Sequence, residues 1–483
     1  MSKPIHAPRK TNPATALWMK RYVLTSVLLA GVLSHLRLSQ ANEQVLWFGA
    51  PNGSIYPNGG VVQGSDGLLY GTSESTVFRL GRDGTGFAVL HQFGLTPNGA
   101  TNPVGPLLIG ADHVFYAPAF GGTTGAGGIF KLNTDGTGYS LIYSFQNGTN
   151  GEVLPQGPLV QGTNGVLYGT TYFGGTSNLG TVYCVNPDGT GYRLLHSFNG
   201  SPFDGANPQA ALIQDTNGTL YGTTTTGGTR PIVYQFSGGT VFKLNPDGTG
   251  FTLLRSFPDD VNDGSVLKAP LLQGKDGALY GTTQSGGSKQ ILGNFLSGGT
   301  VFRINTDGTG YSILHSFDGN APLANPRAPL VQDSNGILYG TTSADYASGT
   351  VFSLSPDGKR YALLHIFGSF TGDGITPQGP LIVGTDGALY GTTLYGGISN
   401  YGTVFRLTTV PPPPFLLTLL RDASAYHVNF DGTPGATYRL EVSTNLLDWL
   451  PLGTLFNENG PVEFLDASAT GASLRFYRAV WVP

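Results

Sequence analysis

The sequence predicts an all-β protein. It reads as a seven-bladed β-propeller of four-stranded antiparallel blades, followed by a small immunoglobulin- or fibronectin-like β-sandwich. Three observations carry this. A Leu-Tyr-Gly-type tyrosine recurs at Tyr70, Tyr116, Tyr168, Tyr221, Tyr280, Tyr339 and Tyr390, at intervals of 46 to 59 residues. A period near 50 marks an array of supersecondary units, each too small to bury its own apolar face. Second, each unit carries four short Val/Leu/Tyr/Phe/Thr runs, a composition that suits a pleated, half-buried surface. Third, the last unit stops after its third run, Gly402 to Leu407, while the chain begins with an orphan fourth run, Val45-Leu46-Trp47-Phe48.

Within a unit the four runs are strands a to d. Strands a and b are joined by Asx-Gly pairs such as Asp66-Gly67, Asn164-Gly165 and Asp386-Gly387, and c and d by Asp83-Gly84, Asp135-Gly136, Asp188-Gly189 and their equivalents. These pairs supply the positive φ that tight hairpins need, so each unit is an antiparallel meander. Strand d ends in Phe in six units (Phe93, Phe145, Phe198, Phe257, Phe317 and Phe367), and Phe48 is taken as the seventh. The N-terminal strand is then expected to complete the last blade and remove two open sheet edges, which are sites of aggregation. In the second unit Phe115-Tyr116-Ala117-Pro118 replaces Leu-Tyr-Gly-Thr, which predicts a distorted strand b.

The repeats resemble the GloVer tandem repeat of secreted bacterial proteins, across about residues 44 to 409. The resemblance rests on Leu-Tyr-Gly-Thr-Thr (Leu167 to Thr171, Leu279 to Thr283, Leu389 to Thr393), the following Gly-Gly, and Gly-Thr-Val-Phe (Gly239 to Phe242, Gly299 to Phe302, Gly402 to Phe405). It implies an extracellular or surface protein with a variable C-terminal part and no common enzymatic activity.

Residues 1–42 read as a bacterial secretory signal peptide. A basic stretch (Lys3, Arg9, Lys10, Lys20, Arg21) precedes a short apolar core, Tyr22 to Val32, and the small-residue site Ser39-Gln40-Ala41. The apolar run is too short to span a bilayer comfortably. Its removal takes six of the 25 Lys/Arg and none of the 29 Asp/Glu, moving the net charge from −4 to −10. That disfavours nucleic acid and anionic membranes as partners. Residues 43–409 form the propeller, 410–414 a proline-rich linker, and 415–483 the sandwich, where Tyr438 to Val442 and Leu474 to Val480 alternate at strand period. The lone Cys184 forms no intramolecular disulfide and reads as a replaceable, outward-facing residue of strand c.

Meander topology places the a–b and c–d turns on one face and the b–c and d–a connections on the other. The b–c loops vary most in length, and variable loops on a rigid scaffold are where recognition resides. They carry Phe120, Tyr172, Phe173, Tyr234, Phe236, Phe295, Tyr346, Tyr395 and Tyr401. These rings are expected either to stack on sugar rings or to pack between blades. His91, His196, His315 and His365 share a strand d position and read as structural, because equivalent positions in separate blades lie too far apart to ligate one ion. The d–a aspartates Asp204, Asp263 and Asp373 read as turn residues. The Asp-Gly-Thr-Gly hairpins lack the ligand pattern of a calcium loop. No cofactor or metal is expected. The reading is a monomeric, secreted or cell-surface binding propeller, with an extracellular polysaccharide or cell-surface protein as partner. The alternative is a glycosidase or lyase using loop carboxylates such as Asp259, Asp260, Asp263 and Asp345, which sequence alone does not bring together.

Overall fold

A computed structural model describes residues 42–482 except 49–55, 58, 96–98, 147–152, 201–203, 229–237, 258–262, 288, 292–293, 320–322, 344–347, 409–416, 422–425, 432–436, 445–447, 457–460 and 467–474. The signal-peptide reading and the proline linker fall outside the described residues. The described chain is all β, without a helix long and apolar enough to cross a membrane.

Each repeat forms one antiparallel sheet with its strands in chain order. The first sheet pairs Val61–Gln63, Leu69–Thr72, Thr76–Leu80 and Ala88–Gln92. The later repeats build the same a-b-c-d order around Val114–Gly121, Leu167–Phe173, Leu220–Thr224, Leu279–Thr283 and Leu338–Ser343. The last sheet takes Ile382–Val383, Leu389–Thr393 and Thr403–Thr408 from the C-terminal repeat, and its fourth strand is Asn42–Phe48 from the other end of the chain.

That closing strand differs from the expectation in register. Each strand d carries a bulge against strand c, and here it falls between Val45 and Trp47, so Trp47 lies opposite Val404 and Phe48 opposite Thr403. In the other sheets the residue opposite the equivalent Val or Ile is His91, Tyr143, His196, Arg255, His315 or His365. Trp47, not Leu46, is therefore the counterpart of these residues, and Phe48 is not the seventh terminal Phe. The bulge is common to all the sheets; the closing strand differs because its Phe follows Trp47 directly, whereas elsewhere one residue separates the terminal Phe from the equivalent position.

Two glycine positions explain the repeated motifs by close approach. A Cβ on Gly281 of Leu-Tyr-Gly would sit 2.4 Å from Phe302 Cζ, and one on Gly391 would sit 2.6 Å from Phe405 Cζ. The Phe of Gly-Thr-Val-Phe thus lies across the strand b glycine. The Gly opening strand c is instead covered by a residue arriving from the next sheet, most often a proline. Cβ atoms on Gly180, Gly299 and Gly402 would lie 2.5, 2.8 and 2.6 Å from Pro208, Pro326 and Pro57.

Sheets are bonded to their neighbours on both faces. On the turn face, a strand a glutamine reaches the a–b turn of the preceding sheet. Gln161 Oε1 accepts from Ala111 N–H (2.8 Å), Gln214 from Thr163 (2.8 Å), Gln332 from Lys275 (2.9 Å), and Gln63 of the first sheet from Thr385 of the last (3.0 Å). Each Nε2 donates to its own turn glycine carbonyl, as in Gln214 to Gly218 (2.9 Å). The repeated tyrosine closes the same turn, for example Tyr280 Oη to Asp276 (3.0 Å) and Tyr390 to Asp386 (2.8 Å).

The core lies between sheets. Leu46, Tyr390 and Val404 from the last sheet share a cluster with Val61, Leu69 and Phe78 from the first. Strand c is buried except at the position of Cys184, which is half-buried where it holds Arg79, Lys131, Lys243, Arg303 or Arg406, whereas Cys184 itself is buried among Tyr168, Val182, Phe198 and Leu212. This corrects the outward reading, which followed the Arg and Lys of the other sheets. The expected distortion of the second strand b is also absent. Val114 to Ala119 pair in unbroken register with Asn133 to Gly128. Pro118 is tolerated because strand a is interrupted beside it: Leu108–Ile109 pairs back to Phe115 and Tyr116, and the preceding segment pairs from Ala119 onward.

The C-terminal residues form two three-stranded antiparallel sheets, Leu417–Arg421/Tyr426–Asp431/Pro461–Asp466 and Leu450–Phe456/Thr437–Ser443/Phe476–Val482. Val428 and Phe430 of one pack with Tyr438 and Leu440 of the other. Two buried carboxylates brace this unit. Glu441 is bound by Arg439 (2.8 Å) and Arg478 (2.7 Å), and Asp466 by Arg475 (2.7 Å) and the Tyr477 hydroxyl (2.8 Å).

Candidate functional site

The loop face is positioned by main-chain bonds. Six d–a connections pass through a left-handed, non-glycine residue, namely Tyr56, Leu154, Asn207, Val266, Asn325 and Thr376, with φ from 55° to 63°; among the described residues the connection from the first to the second sheet has none. The left-handed conformation costs on the order of 1–3 kcal/mol per residue and persists only where surroundings enforce it. The enforcement is a two-sided clamp. The N–H donates to a b–c loop carbonyl of the preceding sheet: Asn207 to Leu179 (2.7 Å), Val266 to Gly238 (2.9 Å), Asn325 to Gly298 (2.7 Å) and Tyr56 to Tyr401 (2.8 Å). The carbonyl accepts from its own sheet, as from Gln284 to Val266 (2.9 Å) and Leu394 to Thr376 (3.0 Å). Short pairings such as Gly374–Ile375 with Tyr395–Gly396 then tie each d–a segment to the base of its b–c loop.

Sequence reasoning put the recognition rings on these loops, and the structure distributes them over several sheets. Phe120 is half-buried at the end of Val114–Gly121. Tyr172 and Phe173 are half-buried at the end of Leu167–Phe173 and meet edge to face, 4.6 Å between centroids. Phe295 lies in the strand Asn294–Ile304 with its backbone opposite Gln290. Tyr234, Phe236 and Tyr346 fall outside the described residues. Tyr395 is half-buried and is the one that joins a larger cluster. Tyr56 stands edge to face with both Tyr395 (5.4 Å) and Tyr401 (5.9 Å).

This cluster sits where the last sheet meets the first. The neighbouring loops add exposed apolar side chains: Ile398, 75% exposed, from the same b–c loop, and Phe370, 51% exposed, from the d–a connection before it. Gly397 N–H donates to Asp373 O (2.7 Å), which links those two segments. Sequence reasoning missed Tyr56 and Phe370. The available signal was an aromatic residue directly before the proline of a d–a connection, Tyr56-Pro57.

The d–a aspartates are not simple turn residues, which is a further correction. Asp204 is buried and meets His196 Nε2 at 3.2 Å while accepting from Asn199 N–H (2.9 Å) and Gly205 N–H (2.8 Å). Asp263 is buried between Arg255 and the Tyr311 hydroxyl, whose pKa is pushed up by burial and by that carboxylate. These carboxylates anchor strand d to the following connection. Asp263, once a candidate catalytic acid, is fully engaged in this role. Asp259, Asp260 and Asp345 lie outside the described residues.

A sequence family described as the Gloeobacter/Verrucomicrobia repeat matches the chain twice in tandem, over residues 26–233 and 233–442. No curated protein matches the chain. Among solved structures it is similar to the extracellular domains assigned to two hybrid two-component systems of B. thetaiotaomicron. One aligns with a TM-score of 0.51 at 14% identity over 83% of this chain and 45% of its own. The other gives 0.51 at 12% over 92% and 56%. The chain therefore spans about half the length of these structures, and at such identities the likeness is one of propeller-like fold.

Proposed function

The chain belongs to the Gloeobacter/Verrucomicrobia repeat family, and we propose that it is an extracellular binding propeller whose loop face holds a polysaccharide. In this reading the repeats are the blades of a closed seven-bladed ring, residues 1–42 direct secretion, and residues 415–483 are an immunoglobulin- or fibronectin-like accessory unit joined by the linker 410–414. The extracellular setting of the two B. thetaiotaomicron domains supports the same setting here.

One observation carries the reading: the grouping of Tyr56, Tyr395 and Tyr401 beside exposed Phe370 and Ile398 on the variable face. Aromatic rings offer large, rigid contact area at low entropic cost and a polar tip that can bond to hydroxyls. Exposed apolar side chains beside such rings add contact surface of the kind that marks an interaction site. Phe120 and the Tyr172–Phe173 pair extend the ring-bearing face to the second and third sheets, so an extended chain of sugars suits it better than a single small molecule.

The test is incubation of the chain with a panel of polysaccharides, recording both retention and released sugar. Retention without product, lost when Tyr395 and Tyr401 are changed to Ala, is the expected result. Released oligosaccharide would replace the reading with a glycosidase or lyase. Retention unaffected by the two substitutions would move the site elsewhere.

A further inference from the structure

The junctions between sheets repeat one arrangement between adjacent d strands. The residue opposite the strand c Val or Ile lies against an aromatic ring from the start of the next strand d. His91 stacks on Tyr139 (4.0 Å between centroids), Tyr143 on Tyr192 (4.3 Å), His196 on Phe251 (3.8 Å), His315 on Tyr361 (4.0 Å) and Trp47 on Phe87 (4.7 Å). Arg255 holds its guanidinium 3.3 Å from the Tyr311 ring centre. The bulged register of the N-terminal strand puts Glu43 where the ring would be at the remaining junction, and its partner there is His365.

His365 Nε2 lies 3.1 Å from Glu43 Oε2 and 3.3 Å from Asp373 Oδ2. The side chains of His365, Glu43 and Asp373 are 9%, 2% and 0% exposed. His365 Nε2 is aligned with Asp373 Oδ1, 3.4 Å away, and both Glu43 oxygens are buried without a hydrogen-bond partner. A buried carboxylate left in that state is costly, and a second carboxylate beside it adds repulsion. Burial, with Asp373 alongside, disfavours the ionised Glu43 carboxylate. At other junctions Asp263 meets the Tyr311 hydroxyl, and Asp204 meets His196, which stacks on Phe251, where Asp373 has Glu43 beside its histidine. Among the described residues these three are the one group of ligand-type side chains whose donor atoms all lie within 4.8 Å of one another.

We propose that Glu43, His365 and Asp373 bind a divalent transition-metal ion, Zn²⁺ being the natural probe, and that the ion ties the N-terminal strand to the sixth sheet. Ligand atoms at about 2.0–2.1 Å around a tetrahedral ion stand roughly 3.3–3.4 Å apart, close to the separations found. An imidazole with two carboxylates suits Zn²⁺ or Mn²⁺ better than Ca²⁺ or Mg²⁺, which favour oxygen alone. Asp373 Oδ2 is oriented by Ser369, through its N–H (2.9 Å) and hydroxyl (3.3 Å), as outer partners orient metal ligands. An ion bound only by the closed form would stabilise that closure by mass action. The site adjoins the ring cluster, with His365 edge to face with Phe370 (6.4 Å between centroids) and Asp373 O accepting from Gly397 N–H, but it does not depend on the polysaccharide reading.

The test uses the full chain stripped with chelator and titrated with ZnCl₂, with metal content measured by mass spectrometry, affinity by dye competition, and thermal unfolding with and without Zn²⁺. One Zn²⁺ per chain and a melting temperature raised by Zn²⁺ are expected. Glu43→Phe restores the ring used at the other junctions and should stay folded while binding at least 100-fold more weakly. Glu43→Gln, nearly isosteric, should also bind weakly. Asp204→Asn, at a junction lacking the second carboxylate, should bind like the parent. A parent chain that retains no Zn²⁺, or Glu43→Phe binding Zn²⁺ as tightly as the parent, would overturn the site and leave Glu43 held neutral by a proton.

Discussion

The two faces of the repeat array are bonded by different chemistry. On the turn face, neighbouring sheets are joined through side chains: a strand a glutamine spans two sheets, and the repeated tyrosine closes the turn through Asp or Asn. On the loop face, neighbouring sheets are joined through the backbone of a left-handed residue, which is Tyr, Leu, Asn, Val or Thr in different repeats. Side-chain bonding demands that a residue type recur, whereas main-chain bonding leaves the side chain free to vary. The fold can therefore hold its frame constant on one face and change its recognition surface on the other.

The largest effect should come from removing the strand that both faces depend on for closure. Deleting residues 42–48 uncovers Val404 and Phe405 and leaves strand Thr403–Thr408 as an open edge, so loss of a single cooperative unfolding transition and concentration-dependent aggregation are expected, measured by calorimetry and light scattering. Next is the strand b glycine. Gly281→Ala forces a methyl into the Phe302 ring and should cost about 1–3 kcal/mol by denaturant titration, with no effect on polysaccharide retention. Gln214→Ala removes the acceptor that joins two sheets and the donor that holds its own turn, an expected loss of about 1–3 kcal/mol. On the loop face, Tyr395→Ala should shift stability less than Gly281→Ala and abolish retention. If it destabilised as much as Gln214→Ala without affecting retention, the ring would be structural and the contrast between faces would fail.

The smallest effect concerns acid. Asp135, Asp188, Asp247 and Asp307 in the c–d turns accept from the hydroxyl and N–H of the threonine two residues on, which lowers each carboxyl below the ordinary 3.8. A depressed folded-state pKa contributes stability that is present above about pH 4 and lost as pH falls through the folded value. These turns are exposed, so the contribution is small. Replacing all four by Asn should flatten the stability profile below pH 4 while leaving its slope near neutrality unchanged.

Much of the frame was legible because it is built from local signals. Asx-Gly pairs and alternating runs announce hairpins, and the unmatched runs at the two ends announce the shared last sheet. What was not legible depends on geometry that spacing does not encode. The closing strand places its Phe one residue earlier than the other d strands do, and aligning it on that Phe hid both Trp47 and Glu43. Cys184 looked outward because most other sheets carry a half-buried Arg or Lys at its position, whereas its short apolar side chain joins the cluster between the third and fourth sheets. The anchoring role of Asp204 and Asp263 was hidden because their partners sit on strand d, eight residues earlier, and only the fold of the connection brings the two back together. The Tyr56–Tyr395–Tyr401 cluster joins residues from opposite ends of the repeat array and becomes visible only on closure.

The most direct test of the two-face account compares two variants in one retention assay on a polysaccharide that the parent chain binds. The Tyr395→Ala/Tyr401→Ala chain should keep its unfolding midpoint close to that of the parent and lose at least tenfold in retention. The Gln214→Ala chain should unfold earlier and bind as the parent does. The opposite pattern, in which the glutamine variant loses retention and the tyrosine variant keeps it, would contradict the account.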